Sequence, residues 1–264
     1  ALSSVYRIND DLTISLTGNF TYAKNKVLEI FETASQYNNP NRRRTGRSWG
    51  TQFGLQALGY YTPDDFNPDG TPKVASIPDT PVKPGDLKYA DLSGPDGKPD
   101  GIIDSNDETV IGYPNGMPQF IYGFTPSISY KGIDFSILFQ GAARYSLPVS
   151  GSLVWPFFYQ GSASKLSYDD HWTPTNTDAL YPKVYSNQPD YNTRYSSWWC
   201  RDASYLRIKN MELGYTLPHR ITKKFFVQKF RIYLSAQNLW TWTPNMKELI
   251  DPEAQNTSGQ YYYQ

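Results

Sequence analysis

Between Ser204 and Thr243 the chain carries two long alternating runs joined by a polar turn. In the first, Met211, Leu213, Tyr215 and Leu217 point one way, and Asn210, Glu212, Gly214 and Thr216 the other. In the second, Phe230, Ile232, Leu234 and Ala236 alternate with Arg231, Tyr233, Ser235 and Gln237. Period-two alternation gives each strand one apolar and one polar face, and Pro218 ends the first run because it cannot donate to a ladder. Each arm reaches about a dozen residues, against roughly five or six in soluble strands, and about 9–11 suffice to cross a bilayer when tilted. Tyr205, Trp240 and Trp242 at the arm ends fit the aromatic belt of a membrane–water boundary. A large soluble β-sandwich with long hairpins is the other fold these arms allow.

Composition narrows the classes. Net charge is zero, so the electrostatic footprint of a nucleic-acid binder is missing. Mean hydropathy is −0.60 and no apolar run is long enough for a spanning helix, which leaves a barrel open because every second barrel residue faces a polar lumen. The 22 tyrosines suit strands, girdles or sugar-binding surfaces. One cysteine, Cys200, excludes an intrachain disulfide framework and a thiolate cluster, and reads as a small half-buried residue beside Trp198 and Trp199. Ala1–Tyr6 shows neither basic region nor apolar signal core, and the chain opens inside a strand-like pattern. A piece of a longer polypeptide, or a processed product, is the expectation.

In chain order, Leu12–Tyr22 is the cleanest strand: Leu12, Ile14, Leu16, Phe20 and Tyr22 on one face, Thr13, Ser15, Thr17, Asn19 and Thr21 on the other. A polar loop ends in Arg42, Arg43 and Arg44, which reads as a solvated face. Trp49–Tyr61 is a less regular strand candidate, and Thr62–Lys88, rich in Pro, Asp and Gly, lacks periodicity. Gln119–Tyr130 alternates, and Lys131-Gly132 makes a tight turn into Ile133, Phe135, Ile137 and Phe139, with glycine supplying the positive φ. Short turns at one end and long loops at the other favour an outer-membrane barrel.

The longest loop region, Ala142–Trp198, holds Trp155, Phe157, Phe158, Tyr159, Trp172, Tyr181, Tyr185, Tyr191 and Tyr195 among polar residues. Ring faces cover apolar ligand surface while amides and carboxylates orient it, so Trp155, Trp172 and Tyr191 are candidate substrate-binding rings. Packing of the loops against each other is the competing role for each of them. His171 follows Asp169-Asp170 with no second histidine nearby and receives no metal or catalytic part.

Asp91–Asp107 reads DLSGPDGKPDGIIDSND. From Asp100 it fits the second half of a calcium loop, with Asp100, Gly101, the Ile102 carbonyl, Ile103, Asp104 and Asp107 at loop positions 5, 6, 7, 8, 9 and 12. The first half has two registers. Asp96 opens one but places Lys98 where a ligand belongs; Asp91 and Ser93 open the other, with PDGKP bulged out, and this one is preferred. A possible structural Ca2+ site is the expectation, and a solvated acidic turn the alternative. There is no nucleophile elbow, no Gly-Lys-Ser/Thr phosphate loop, no His-Glu-x-x-His helix and no acidic pair spaced for acid–base work, so no enzyme is expected.

Several stretches, in order, resemble the C-terminal part of a SusC/RagA-type TonB-dependent outer-membrane transporter of Bacteroidota. They are LTGNFTYAKNKV (16–27), RRRTGRSWGTQFGL (42–55), YADLSG (89–94), DGIIDSNDETVIGYPNGMPQFIYGF (100–124) and SYKGIDFSILFQG (129–141). They continue with WTPTNTDALYPKV (172–184), DASYLRIKNMELGYTLP (202–218) and FRIYLSAQNLWTWT (230–243).

The resemblance implies an all-β fold, a portion of an antiparallel transmembrane β-barrel of about 22 strands with a plugged lumen and long extracellular loops. Residues 1–264 would be one C-terminal barrel part, with the plug and TonB-contacting segment absent and the chain stopping at Tyr261–Gln264, before a closing strand. It also implies a SusD-like surface lipoprotein as lid, TonB acting through the absent part, the remaining fragment of the same receptor, and oligosaccharide or peptide cargo at the cell outer membrane. The rival is a secreted, calcium-dependent carbohydrate-binding β-sandwich.

Overall fold

The computed structural model describes residues 1–151, 154–187, 189–246 and 251–253; the expectation about Tyr261–Gln264 lies outside them. The described strands, in chain order, are β1 (Leu2–Arg7), β2 (Leu12–Tyr22), β3 (Gln52–Gly54), β4 (Ala57–Tyr60), β5 (Leu87–Tyr89), β6 (Thr109–Gly112), β7 (Phe120–Tyr130), β8 (Ile133–Ala143), β9 (Ser146–Pro148), β10 (Cys200–Asp202), β11 (Tyr205–Thr216) and β12 (Arg231–Trp242). They fall into two compact units. One comprises Ala1–Lys24, Pro118–Arg144 and Ser204–Pro244; the other is built mainly of Asn25–Met117 and Tyr145–Ala203.

The first unit is an antiparallel sheet ordered β1-β2-β7-β8-β11-β12. The register places Leu12, Ile14 and Leu16 opposite Tyr130, Ile128 and Pro126, and Met211, Leu213 and Tyr215 opposite Ile137, Phe135 and Ile133. Every expected apolar position therefore joins one continuous face. Facing it the other way are Thr13, Ser15 and Thr17, Ser127 and Ser129, and Asp134, Glu212 and Arg231. The Arg231 guanidinium bridges Asp134 and Glu212 and so ties β8, β11 and β12 together on the polar side.

Three hairpin connections, 8–11, 131–132 and 217–230, lie at the same end of this sheet. Lys131 (φ 48°) and Gly132 (φ 87°) both sit in the left-handed region, the geometry of a two-residue turn whose twist matches its strands. The long segments leave and re-enter at the other end.

Two local features depart from simple alternation. A bulge at Lys209 shifts the β11 register between Ile208 and Asn210. It moves the apolar set from odd positions (Met211, Leu213, Tyr215) to even ones, so that Ile208 pairs with Phe139 and Trp240 and stays on the apolar face. Tyr205, expected in the girdle, is instead buried; its carbonyl accepts the Tyr122 hydroxyl at 2.9 Å and the Arg207 guanidinium lies over its ring. Trp240 and Trp242 remain about half exposed, with Phe20 and Tyr22 at the same end and Tyr6, Tyr130 and Tyr215 at the other.

The apolar face has no cover within this unit: Leu2 is 72% exposed, Ile232 59% and Leu234 74%. A soluble sandwich would pack such a face against a second sheet. A bare apolar face over 11- and 12-residue strands is what a bilayer-facing barrel wall presents.

The second unit consists of short pieces. The expected strand Trp49–Tyr61 splits into β3, paired with β6, and β4, paired with β5, because the intervening residues turn to other partners: Leu55 N–H donates to Tyr195 O at 3.1 Å. A core of Tyr61, Val82 and Tyr191, with Phe66 and Ile77 against it, holds the aperiodic 62–88 stretch in place. Cys200 is buried, deeper than expected.

Arg42, Arg43 and Arg44 are partly engaged. Arg42 donates to Asn106 Oδ1 at 3.2 Å, and the Arg43 and Arg44 guanidinium groups lie over the Tyr37 and Phe53 rings. The backbone N–H groups of Arg44 and Thr45 both donate to Glu32, at 2.6 and 3.0 Å, as does the Thr45 hydroxyl. Those bonds hold the Glu32 carboxyl below its ordinary range, the Arg44 amide most and the Thr45 hydroxyl next. A depressed carboxyl contributes its stability above the ordinary carboxylate pKa and loses it as pH falls through the lowered value. The protection of the 44–45 amides, their exchange rate relative to an unstructured chain at the same pH, should therefore fall below about pH 4, and Glu32→Gln should flatten that dependence. Protection that does not change with acid in the parent would disprove it.

Candidate functional site

The second unit is organised around Asp86, which is 0% exposed. Its Oδ1 accepts from the Tyr185 hydroxyl and from Asn192 Nδ2, both at 2.9 Å, and its Oδ2 from the Lys83 N–H at 2.7 Å and the Tyr191 hydroxyl at 2.5 Å. Asn192 Oδ1 in turn accepts the Leu87 N–H at 2.9 Å, and its carbonyl accepts Trp199 Nε1 at 2.7 Å. Burial, and then the Asp86 carboxylate, raise both the Tyr185 and the Tyr191 hydroxyls far above the ordinary phenol range. Both are therefore permanent donors, and a buried carboxylate surrounded by fixed donors is a structural clamp between 83–89 and 185–199.

Beside the clamp lies a cavity of about 580 Å³ lined by Pro63, Pro84, His171, Trp172, Thr173, Pro174, Thr177, Lys183 and Val184. Its position depends on Gly85 (φ 95°): a Cβ there would lie 2.3 Å from the Trp172 ring, so glycine lets backbone and indole meet. His171 Nδ1 lies 2.8 Å from the Tyr168 carbonyl, which can only accept, so in the neutral ring Nδ1 carries the proton and Nε2 is an acceptor. Rings and prolines supply a floor for apolar ligand surface, and the histidine, lysine and threonine hydroxyls supply handles at its rim.

The three candidate substrate-binding rings are not gathered on one open surface. Trp172 lines the cavity at 7% exposure. Tyr191, 4% exposed, spends its hydroxyl on Asp86. Trp155 packs edge-on against Phe158 and Trp199, with ring centroids 5.0 and 6.2 Å away. The cavity also brings in His171, which drew no role from its sequence context, and Lys183. The clamp residues Asp86 and Asn192 carry no local signal at all.

The acidic stretch closes on itself. Asp107, 0% exposed, accepts the Leu92 and Ser93 N–H groups on Oδ1, at 2.7 and 3.0 Å, and the Asp104 N–H on Oδ2 at 2.8 Å. Asp91 accepts the amides of Asp100 and Gly101, Asp100 that of Ile102, and Asp104 that of Asn106. Asp96 is exposed on the 94–98 turn, Ser93 Oγ accepts from Asn39 Nδ2, and Ile102 exposes its side chain. The carboxylates turn to backbone amides, not to a common point, and among the described residues no three His, Cys, Asp or Glu side chains are grouped to hold a metal. A polar cavity of about 650 Å³ lies against this loop, lined among others by Asn38, Asn39, Asn41, Ser93 and Asn106.

No family model matches the chain. Curated relatives do. It is 31% identical over 260 residues to TonB-dependent receptor P3 of Formosa agariphila, covering 93% of this chain and 24% of that protein. It is 33% identical over 176 residues to TonB-dependent receptor P26 of the same organism, covering 65% of this chain and 16% of the relative. With TonB-dependent receptor SusC of Bacteroides thetaiotaomicron identity is 25% over 237 residues, 88% of this chain and 21% of the relative. The chain thus spans about a quarter of the length of these relatives, or less. Among solved structures, the RagAB peptide transporter superposes over 95% of this chain and 26% of its own, at a TM-score of 0.65 and 19% identity. The RagAB peptide importer in its open-open state gives 0.63 and 20%.

Proposed function

Because the chain belongs to the SusC/RagA type of TonB-dependent transporter, we propose that it forms part of an outer-membrane nutrient importer. Its six-stranded sheet contributes to the barrel wall, and its long segments contribute cargo-contacting loops. The observation that carries this reading is the bare apolar face, continuous over six paired strands and rimmed by aromatic rings at both ends. The whole receptor, with about 22 strands and a plugged lumen, works with a SusD-like lipoprotein as lid and draws on TonB through its plug-bearing part. The cargo is an oligosaccharide or a peptide. Relatives named SusC and RagAB, the latter a peptide transporter, support that choice, and so does a cavity of proline, indole and threonine. Trp172 is the cargo-facing ring, with Tyr191 and Trp155 packed in support. The role is binding and passage, and the relatives are receptors and transporters.

Outer-membrane fractionation with detergent extraction, followed by mass spectrometry of what co-purifies, tests this. The expected result is recovery in the outer membrane with a plug-bearing segment and a lid lipoprotein; a soluble, unpartnered chain overturns it. Calcium enters only if chelation matters. The amide-closed loop supports a metal-independent strut, so EDTA should leave the protease resistance of 89–112 unchanged, while Asp107→Ala should abolish it by releasing three amides. Chelator-induced cleavage would reinstate the calcium reading.

A further inference from the structure

Of the three connections at the tight-turn end of the sheet, 217–230 differs from the others. It reads LPHRITKKFFVQKF, with Arg220, Lys223, Lys224 and Lys229 and no acidic residue, whereas the 8–11 connection carries Asp10 and Asp11. It is ordered by its own hydrogen bonds. Leu217 N–H donates to Phe230 O at 2.9 Å, Phe226 N–H to Lys223 O and Val227 N–H to Thr222 O, both at 3.2 Å. A short helix, His219–Thr222, and a 3-10 turn, Lys223–Phe225, lead into Phe226 at φ 57°. This ordered turn buries Thr222 and turns its apolar rings outward: Phe225 is 72% exposed and Phe226 98%. Phe230 shares the parity of Ile232 and Leu234, so its exposed ring continues the apolar face of β12 past the last ladder pair.

We propose that the 217–230 turn is a lipid anchor, binding the headgroup layer of an anionic phospholipid leaflet at the tight-turn end of the barrel. The proposal rests on the barrel-wall reading above and adds a ligand class to a turn which that reading leaves unused. The argument is charge complementarity together with continuity. Four cations in fourteen residues match phosphodiester headgroups, and aromatic rings beside them suit the headgroup–acyl boundary. Neither signal alone gives firm attachment; together they do. The Pro218 start and the internal hydrogen bonds hold the rings out before any lipid is met.

The test uses the receptor carrying this chain, reconstituted in nanodiscs of phosphatidylcholine alone or mixed with phosphatidylglycerol. A nitroxide is placed at Phe226→Cys or at Leu234→Cys, both in a Cys200→Ser background. Collisions with oxygen and with a water-soluble nickel chelate report depth. The 226 label should lie in the bilayer when phosphatidylglycerol is present, protected from nickel. Lys223→Gln, Lys224→Gln and Lys229→Gln should each reduce its bilayer partition about fivefold, the equivalent of one cation near an anionic surface. A 226 label that stays in water in both lipids overturns the anchor, provided the 234 label is in lipid. A 226 label shielded from both reagents whatever the lipid also overturns it, because the turn then contacts protein. A 234 label in water overturns the wall reading and the anchor with it.

Discussion

Asp86→Ala should unfold the second unit locally while leaving the six-stranded sheet paired. The substitution removes one acceptor group and strands four donors: the Tyr185 and Tyr191 hydroxyls, Asn192 Nδ2 and the Lys83 N–H. Each buried donor left unmet costs about 1–3 kcal/mol, partly recovered as water enters, so a net loss of about 4 kcal/mol is expected. Asp86→Asn keeps one acceptor oxygen but presents an N–H₂ to the remaining donors, and about 2 kcal/mol is expected. Tyr185→Phe removes a single donor and should cost about 1 kcal/mol. Hydrogen exchange of the receptor reads all three variants. Protection should fall at 57–61, 85–89 and 190–199, in the order Ala, Asn, Phe, with β7, β8, β11 and β12 unchanged. Protection at 85–89 that survives in Asp86→Ala would refute the clamp.

Leu234→Lys should destabilise the receptor in a bilayer by about 2 kcal/mol, the cost of a lysine on the lipid face of a barrel somewhat short of the midplane. Its neighbour Ser235 points to the polar side, so Ser235→Lys should stay within about 0.5 kcal/mol. This pair separates the two folds that the alternation allowed. Leu234 is 74% exposed. If that surface met water, lysine there would be as harmless as at Ser235. If it meets lipid, the two neighbours differ by more than a factor of ten in folding equilibrium. Denaturant titration of the receptor in lipid vesicles measures both. Equal midpoints would return the sheet to a water-facing role.

The sheet was legible because its signal is local. Leu12–Tyr22, Gln119–Tyr130, Ile133–Phe139 and both arms of 204–243 alternate over about ten residues each, and a strand with one apolar face has little choice of register. The Lys131-Gly132 turn was legible for the same reason, since its glycine stands where positive φ is needed. Less legible was Lys209, an ordinary residue whose bulge carries Ile208 onto the apolar face and leaves Arg207 on the polar one. Tyr205 was misplaced because an aromatic at a strand end looks the same in sequence whether it meets lipid or packs beneath an arginine.

The chain's own sequence thus determined the long strands of the sheet, their two faces and the contrast between tight turns and long connections. Each rests on residues within a few positions of one another. Only the tertiary structure decided how the second unit holds together and where its cavity lies. Asp86 meets Tyr185, Tyr191 and Asn192 across about a hundred residues, and β3 to β6 are too short to show a period. The acidic loop is the clearest division between the two. Its residue types suit a cation, but a carboxylate accepts backbone amides as readily as it coordinates a metal. Where the chain brings those amides is a tertiary matter, and it brings three of them to Asp107.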